Sequence, residues 1–239
     1  MKTLLIVPIY NEERYLSGVI EEIKKNVTPT TGILAINDGS TDRSGKVLES
    51  IPDIRVLTHT QNLGYGQTLM DGFRYAVNGG FDTAITIDCD WQHEPHFIRE
   101  FEKEIAFWDI VSGSRYLRPS NETPPAERAE INRKVTEILN EKTGLKLTDA
   151  FCGFKAYRVA ALRKLDLTEP DYGMPLQLWV QAAAHRLRIK EIPVGLVYFD
   201  RTRDFAGELR DPSQRLRYYL SIIEKEVARY ARLLPVKTA

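Results

Sequence analysis

The stretch "ITIDCDWQHEP", Ile85 to Pro95, joins a run of β-forming residues to two aspartates one residue apart, followed at once by glutamine and histidine. Residues i and i+2 of a strand share a face, so Asp88 and Asp90 are expected to present both carboxylates to one side while Cys89 turns to the other. Carboxylates that close repel each other unless a cation lies beside them. Ligands that are all oxygen suit Mg²⁺ or Mn²⁺, which take one or two protein carboxylates and fill the other positions with water and phosphate oxygens. Gln92 adds a neutral carbonyl oxygen at the next same-side position. The plainer reading, acidic residues that only terminate a strand, is the default for an isolated Asp-x-Asp. What surrounds the stretch decides between the two.

Outward from it, short apolar runs alternate with segments of helical period. "TLLIVPIY" precedes a helix carrying Leu16, Val19, Ile20 and Ile23 on one face; "GILAIND" precedes a short helix near 44–51; "IRVLTH" precedes a helix near 66–77 closed by Gly79 and Gly80. "TAITIDCD" is the next strand, followed by a helix near 95–108 and then "DIVSGSR". Alternation of this kind predicts an α/β fold with a largely parallel sheet, whose ligands lie beyond the carboxyl ends of the strands. "PIYNEE", "NDGSTD", "DCDWQH" and "GSRY" all fall at such ends. After Arg115 come a Pro-containing loop, a helix over 126–143 with Ile131, Val135, Ile138 and Leu139 on one side, a strand or turn at "DAFCGFKAYR", a helix at "MPLQLWVQAAAHR", a strand at "RIKEIPVGLVYF" and a last helix over 212–234. The second half reads as an elaboration of the same sheet.

Composition narrows the class. The 239 residues are 43% apolar and 28% charged, as in soluble globular chains, and 33 basic residues balance 33 acidic ones. Nothing in that balance suggests a nucleic-acid binder. Two cysteines make no disulfide framework, which predicts a reducing, cytoplasmic compartment. Pro8 and "NEER" interrupt the first apolar run before a secretory core forms, and no run reaches the roughly 18 to 20 residues that span a bilayer. His93 and His96 lack the further ligands a zinc site needs.

Individual residues at the strand ends suggest contacts. Pro8, Tyr10 and Glu12 offer an aromatic face and a carboxylate to a nucleobase. Asp38 ends the second strand as a candidate for a base or ribose contact, while Ser40 and Asp42 read as caps. "NLGYGQ" is not a phosphate-binding glycine loop, and its glycines read as structural.

Taken in order over Val7 to Arg158, "VPIYNEE", "NDGSTD", "NLGYGQ", "DCDWQH", "GSRY" and "DAFCGFKAYR" resemble the inverting nucleotide-sugar glycosyltransferases of family 2, in the branch of dolichol-phosphate mannosyl- and glucosyltransferases. The resemblance implies a single GT-A domain over 1–239, with a nucleotide-sugar-binding half (1–116) and an acceptor-side half (117–239) ending in an amphipathic helix. It implies helices on both faces of the sheet, a nucleotide-diphosphate sugar donor (GDP or UDP), Mg²⁺ or Mn²⁺, and a polyprenyl-phosphate acceptor. Carried over by position, Pro8, Tyr10, Glu12 and Asp38 surround the nucleoside, and Asp88, Asp90 and Gln92 hold metal and diphosphate. Arg115 faces the donor phosphates, which suits guanidinium geometry. Arg201 and Arg203, in "FDRTRDFAGELRD", compete for a second phosphate contact. Tyr65 stands where this branch is often basic, and Cys89 where a small residue is usual. Asp149 is the base candidate; its other role is to structure the turn before Phe151.

A phosphate monoester, with a second pKa near 6, is nucleophilic at neutral pH, whereas a sugar hydroxyl requires a positioned base. From Arg201 to Arg232 eight basic residues stand against five acidic ones, and Leu216, Leu220, Ile223, Val227, Tyr230 and Leu234 form a stripe that either packs on the domain or lies on a membrane surface. Transfer to a soluble hydroxyl acceptor and nucleotide-sugar binding without turnover stay open beside the leading reading. Nucleotidyl transfer would call for a Gly-rich, lysine-containing loop after the first strand, which "PIYNEER" is not.

Overall fold

In a computed structural model, which describes residues 1–119, 122, 124–197 and 207–235, one seven-stranded sheet runs through both halves of the chain. Its strands are β1 (Thr3–Ile9), β2 (Thr31–Asn37), β3 (Arg55–Thr58), β4 (Thr83–Thr86), β5 (Ile110–Ser114), β6 (Lys155–Arg158) and β7 (Ile189–Pro193). The order is β3-β2-β1-β4-β6-β5-β7, parallel throughout except for β6, which runs antiparallel to β4 and β5 between them. β6 shows that "DAFCGFKAYR" is half turn and half strand: the turn carries Asp149 to Phe154, and pairing begins at Lys155.

Alternate residues of the central strands enter two cores, as expected for a sheet covered on both faces. Leu5, Val7, Ile9, Ile85, Ile87 and Cys89 pack with α1 (Leu16–Asn26), α2 (Ser44–Glu49) and α4 (Ile98–Glu104). Leu4, Ile6, Leu34 and Ile36 pack with α3 (Tyr65–Asn78), α5 (Ala126–Thr143), α6 (Val159–Leu162), α7 (Met174–Ala184) and α8 (Pro212–Arg229).

Three elements differ from their expected extent. The helix near 95–108 is a 3-10 turn, Pro95–Phe97, followed by α4, which stops at Glu104. Past that point Arg158 takes the carbonyls of Ile105, Ala106 and Trp108. β7 ends at Pro193, whose ring has no N–H for a ladder, and the last residues of "RIKEIPVGLVYF" lie outside the described residues. α8 turns Arg215, Tyr219, Ile222, Ile223 and Glu226 inward; of the expected stripe Ile223 and Leu234 are buried, while Leu216, Leu220, Val227 and Tyr230 are half-buried. Its inner face packs on α5 and α7, so α8 is a domain helix rather than a surface-lying one. No helix among the described residues is long and apolar enough to cross a membrane.

The order of the strands reverses at β1, with β2 and β3 on one side and β4 on the other, which is where a crevice opens in such sheets. The β1–β4 ladder ends at Ile6 and Thr86, while β1 stays paired with β2 to Ile9. Pro8, with no N–H to donate, therefore sits where β1 and β4 part.

Candidate active site

A cavity of about 820 Å³ opens beyond the carboxyl ends of β1, β2 and β4. Pro8, Tyr10, Glu12, Asp38, Asp88, Asp90 and Gln92 all line it. Tyr65, Asp171, Tyr172 and Tyr218 join them, with Arg128 from α5 and Gln214 from α8.

Asp88 and Asp90 are not on a strand. β4 stops at Thr86, and residues 87–93 form a loop in which Trp91 adopts φ 61°. A bulky residue there is strained and must be held by its surroundings. The Trp91 ring packs over Gly18 of α1, where a Cβ would lie 3.1 Å from a ring carbon. Gln92 N–H donates to Asp90 Oδ1 at 3.0 Å, and Asp88 N–H donates to His93 Nδ1 at 3.1 Å. His93, 5% exposed, is therefore neutral; burial pushes its pKa down to about 4. It is a buried strut under the loop rather than a metal ligand. Cys89 does continue the inward face of Ile85 and Ile87.

The Asp88 carboxylate sits in a close-fitting recess. Tyr65 Oη donates to its Oδ1 at 3.1 Å, and a Cβ on Gly153 would fall 2.4 Å from Oδ2 and 2.9 Å from Tyr65 Oη. Only glycine at 153 leaves room for both. Lys155, buried, donates to the Cys152 carbonyl and lies 5.5 Å from the Trp179 ring centre, fixing the same turn from below. Burial lowers its pKa.

Asp88, Asp90 and Gln92, residue types that suit a hard divalent cation, line one cavity, and no cluster of three or more acidic, His or Cys residues that could hold a metal is found among the described residues. The charge of the cavity's described lining is compatible with a cation. Among the described residues its lining carries five carboxylates, Glu12, Asp38, Asp88, Asp90 and Asp171, against the single guanidinium of Arg128. A diphosphate entering that field is repelled unless a cation accompanies it.

At the other end of the cavity Asp38 is largely consumed by its own loop. Its carboxylate accepts from Leu63 N–H at 2.8 Å, Gly64 N–H at 3.0 Å and His59 Nδ1 at 2.7 Å. His59 Nε2 lies 3.2 Å from Asp71 Oδ2 without hydrogen-bond alignment. Asp38 thus shapes the 59–64 loop while still lining the cavity. Of the two expected caps, Asp42 accepts from Ser44 N–H at the start of α2 at 2.9 Å and from Glu13 N–H at 3.1 Å, whereas Ser40 does not cap the helix: its Oγ accepts from Asn11 N–H at 3.0 Å, and the N-cap position is Arg43. Gly64, at φ 101°, and Gly66 are structural as read: a Cβ on either would fall within 2.4 Å of a carbonyl oxygen of the 169–170 backbone, which packs against the start of α3. Gln67 N–H donates to Pro170 O there, at 2.8 Å.

Arg115 and Asp149 do not line the cavity. Arg115 Nε donates to Asp149 Oδ2 at 2.7 Å and Nη2 to Oδ1 at 2.8 Å, and Asp149 also accepts from the N–H groups of Arg115, Phe151 and Cys152. The fork expected on a phosphate holds this carboxylate instead. Burial alone would raise the Asp149 pKa, and the Arg115 guanidinium with the converging N–H groups holds it below the usual range. Arg115 stays charged, because Asp149 more than offsets the burial that works against it. A carboxylate with five hydrogen bonds and a depressed pKa is no general base. Of its two expected roles Asp149 fills the structural one, organising the turn before Phe151. Arg201 and Arg203 lie outside the described residues.

Sequence reasoning missed the 169–173 strap. Tyr172 stacks on Tyr65 with ring centres 5.7 Å apart and planes 14° apart, and Tyr218 Oη accepts from Gly173 N–H at 3.1 Å while donating to Glu169 Oε1 at 2.6 Å. The lone sign of it was Tyr65, at a position the resemblance led one to expect to be basic.

A family model described as glycosyl transferase family 2 matches residues 4–166. The undecaprenyl-phosphate mannosyltransferase of Micrococcus luteus is 29% identical over 205 residues, covering 82% of this chain and 84% of that protein. The polyprenol monophosphomannose synthase of Mycolicibacterium smegmatis is 27% identical, covering 81% and 76%. In fold, the glucosyl-3-phosphoglycerate synthase of Mycobacterium tuberculosis superposes with a TM-score of 0.72 at 19% identity, over 99% of this chain and 82% of that one; it has been crystallised with UDP and with Mn²⁺ or Mg²⁺. The family match spans β1 to β6, the elements that build the Asp88–Gln92 wall: this chain belongs to glycosyl transferase family 2.

Proposed function

We propose that this chain transfers a hexose from a nucleoside-diphosphate sugar to a polyprenyl phosphate by a single inverting displacement, with Mg²⁺ or Mn²⁺ held by Asp88, Asp90 and Gln92. The observation that carries the reading is the acidic wall at the β1/β4 crevice, five carboxylates to one guanidinium among the described residues, in a cavity large enough for a nucleotide sugar. When bound, the cation supplies charge stabilisation to the leaving diphosphate. Asp88 and Asp90 contribute carboxylate oxygens, Tyr65 and Gly153 keep Asp88 in place, and the Trp91–Gly18 contact keeps the loop in its strained shape. Pro8, Tyr10 and Glu12 form the nucleoside end. The M. tuberculosis complexes with UDP and Mn²⁺ or Mg²⁺ support the donor class and the metal.

The acceptor rests on chemistry and on the relatives' names. With Asp149 locked to Arg115, the base candidate is lost, and a phosphate oxygen is the nucleophile that needs none. The M. luteus and M. smegmatis proteins are named for polyprenyl-phosphate mannosyl transfer. The test is incubation with labelled UDP- and GDP-sugars, Mn²⁺ and a detergent-dispersed polyprenyl phosphate. Label passing into a lipid-extractable, acid-labile product supports the proposal; label passing only to hydroxyl acceptors refutes it.

A further inference from the structure

We propose that Glu226 of α8 is a positioning residue for the metal site, acting through Gln177, Gln181 and the 166–173 segment on the phenol that holds Asp88. The inference rests on reading Asp88 as a cation ligand, and it concerns three residues that do not line the cavity. Gln177 and Gln181 stand one turn apart on α7, so their side chains share a face, and that face meets α8. Glu226 Oε1 accepts from Gln177 Nε2 and Oε2 from Gln181 Nε2, both at 2.9 Å, and each of the three residues is at most 2% exposed. One cation is near: Arg229 Nη1 lies 3.6 Å from Oε1, and Nη2 is bound to Asp166. Apolar residues often stabilise such a place as well as a buried carboxylate does, which points to what Glu226 specifies rather than to what it stabilises.

What it specifies is the orientation of two amides. Gln177 Oε1 accepts from Thr168 N–H at 2.7 Å and Glu169 N–H at 2.9 Å, and its Nε2 also donates to Thr168 Oγ1 at 3.0 Å. Gln181 Oε1 accepts from Asp166 N–H at 2.7 Å, and its Nε2 donates to the Asp166 carbonyl at 2.9 Å. These backbone groups lie outside any helix or strand, so the glutamines take the place of a ladder. With both amide oxygens committed to N–H groups, both Nε2 groups require an acceptor, and Glu226 supplies one to each. From Glu169 onward the same segment presses on α3. Gly66 leaves room for the Glu169 carbonyl, Gln67 N–H donates to Pro170 O at 2.8 Å, and Tyr172 stacks on Tyr65, whose Oη donates to Asp88 Oδ1 at 3.1 Å. The path from Glu226 to Asp88 is therefore contiguous, and a shift of the segment is passed through Tyr65 to a metal ligand.

The test is Glu226→Gln in the full chain, which leaves one oxygen for two donors. Mn²⁺ affinity is read by electron paramagnetic resonance with UDP and with GDP, at a temperature below the melting transition of every variant. The Mn²⁺ dissociation constant should rise about tenfold, what one hydrogen bond is worth, while turnover at saturating Mn²⁺ is nearly unchanged because the occupied site holds Asp88 itself. Glu226→Gln combined with Gln177→Glu exchanges the two groups, keeps every hydrogen bond between the side chains, and should restore the affinity. In a Tyr65→Phe background Glu226→Gln should add no further loss. Should Glu226→Gln fail to fold, Glu226→Asp, which draws the carboxylate back by one methylene, carries the same expectation. A wild type that takes up no Mn²⁺ with either nucleotide overturns the metal reading and this assignment together. Wild-type uptake with unchanged affinity in the variant overturns the role of Glu226 alone, as does a loss that the exchange leaves in place. A loss that adds to that of Tyr65→Phe overturns the route through Tyr65.

Discussion

Gly153→Ala adds one methyl group to the wall behind Asp88, where it meets the carboxylate and, at 2.9 Å, Tyr65 Oη. The new Cβ would stand 2.4 Å from Asp88 Oδ2 and 3.0 Å from its Cγ, where ordinary contact begins at 3.4 Å. The carboxylate must retreat by about 1 Å, the difference between those distances, because repulsion at 2.4 Å far exceeds any attraction it could retain. Backbone strain does not enter, since Gly153 is not among the positive-φ residues. At such a position Gly→Ala stabilises by roughly 0.4–1 kcal/mol through the unfolded chain, which offsets part of the crowding. Stability should therefore stay within about 1 kcal/mol of wild type. A misplacement of about 1 Å in a catalytic group costs on the order of a hundredfold in rate. The assay is donor turnover against Mn²⁺ concentration, with urea unfolding as the control. A hundredfold loss with a weaker Mn²⁺ response, in a protein of normal stability, is the expected result. Wild-type Mn²⁺ dependence would refute the assignment of Asp88 to the metal.

Two further substitutions and conditions separate structural from chemical roles. Asp149→Ala strands the Arg115 guanidinium, 14% exposed, without its partner, and should cost roughly 3–5 kcal/mol in urea unfolding; a loss below about 1 kcal/mol would show that the pair is not the support described. His93 titrates at about 4 in the folded chain and near 6.5 when unfolded, so the unfolded state binds the extra proton between those values and stability falls as pH drops through that window. Between pH 7 and pH 4.5 the loss should approach about 2 kcal/mol, and His93→Asn should flatten it. Asp149 adds a separate acid-side loss, felt only as pH falls below the ordinary carboxylate range toward its depressed value.

The periodic elements were legible because each satisfies a local rule. Leu16, Val19, Ile20 and Ile23 are all buried on α1, and the first four strands alternate with helices as the pattern required. The site was legible as a set of residues and less so as geometry. Asp88, Asp90, Gln92, Pro8, Tyr10, Glu12 and Asp38 do share one cavity, because strand ends in a parallel sheet converge on one edge. The i, i+2 reading placed Asp88 and Asp90 toward the cavity and Cys89 in the core as expected, although β4 stops at Thr86, where β6 pairs back, and the chain then turns through the strained Trp91. Contacts across long separations were not legible. Nothing local says that Arg115 meets Asp149, that Asp38 accepts from Leu63 and Gly64, or that Gly153 backs Asp88. The strap with Asp171 and Tyr172 escaped because its glycine-backed packing on α3 is a backbone contact, with no side-chain signature in the sequence.

The most direct measurement of the central claim is Mn²⁺ electron paramagnetic resonance on the full chain with a nucleoside diphosphate. The free-ion signal should fall by one Mn²⁺ per chain when UDP or GDP is added, and Asp90→Ala should abolish that uptake while its melting curve stays that of the wild type. Nucleotide binding that ignores chelator and survives Asp90→Ala unchanged would contradict a cation bridge between the acidic wall and the diphosphate.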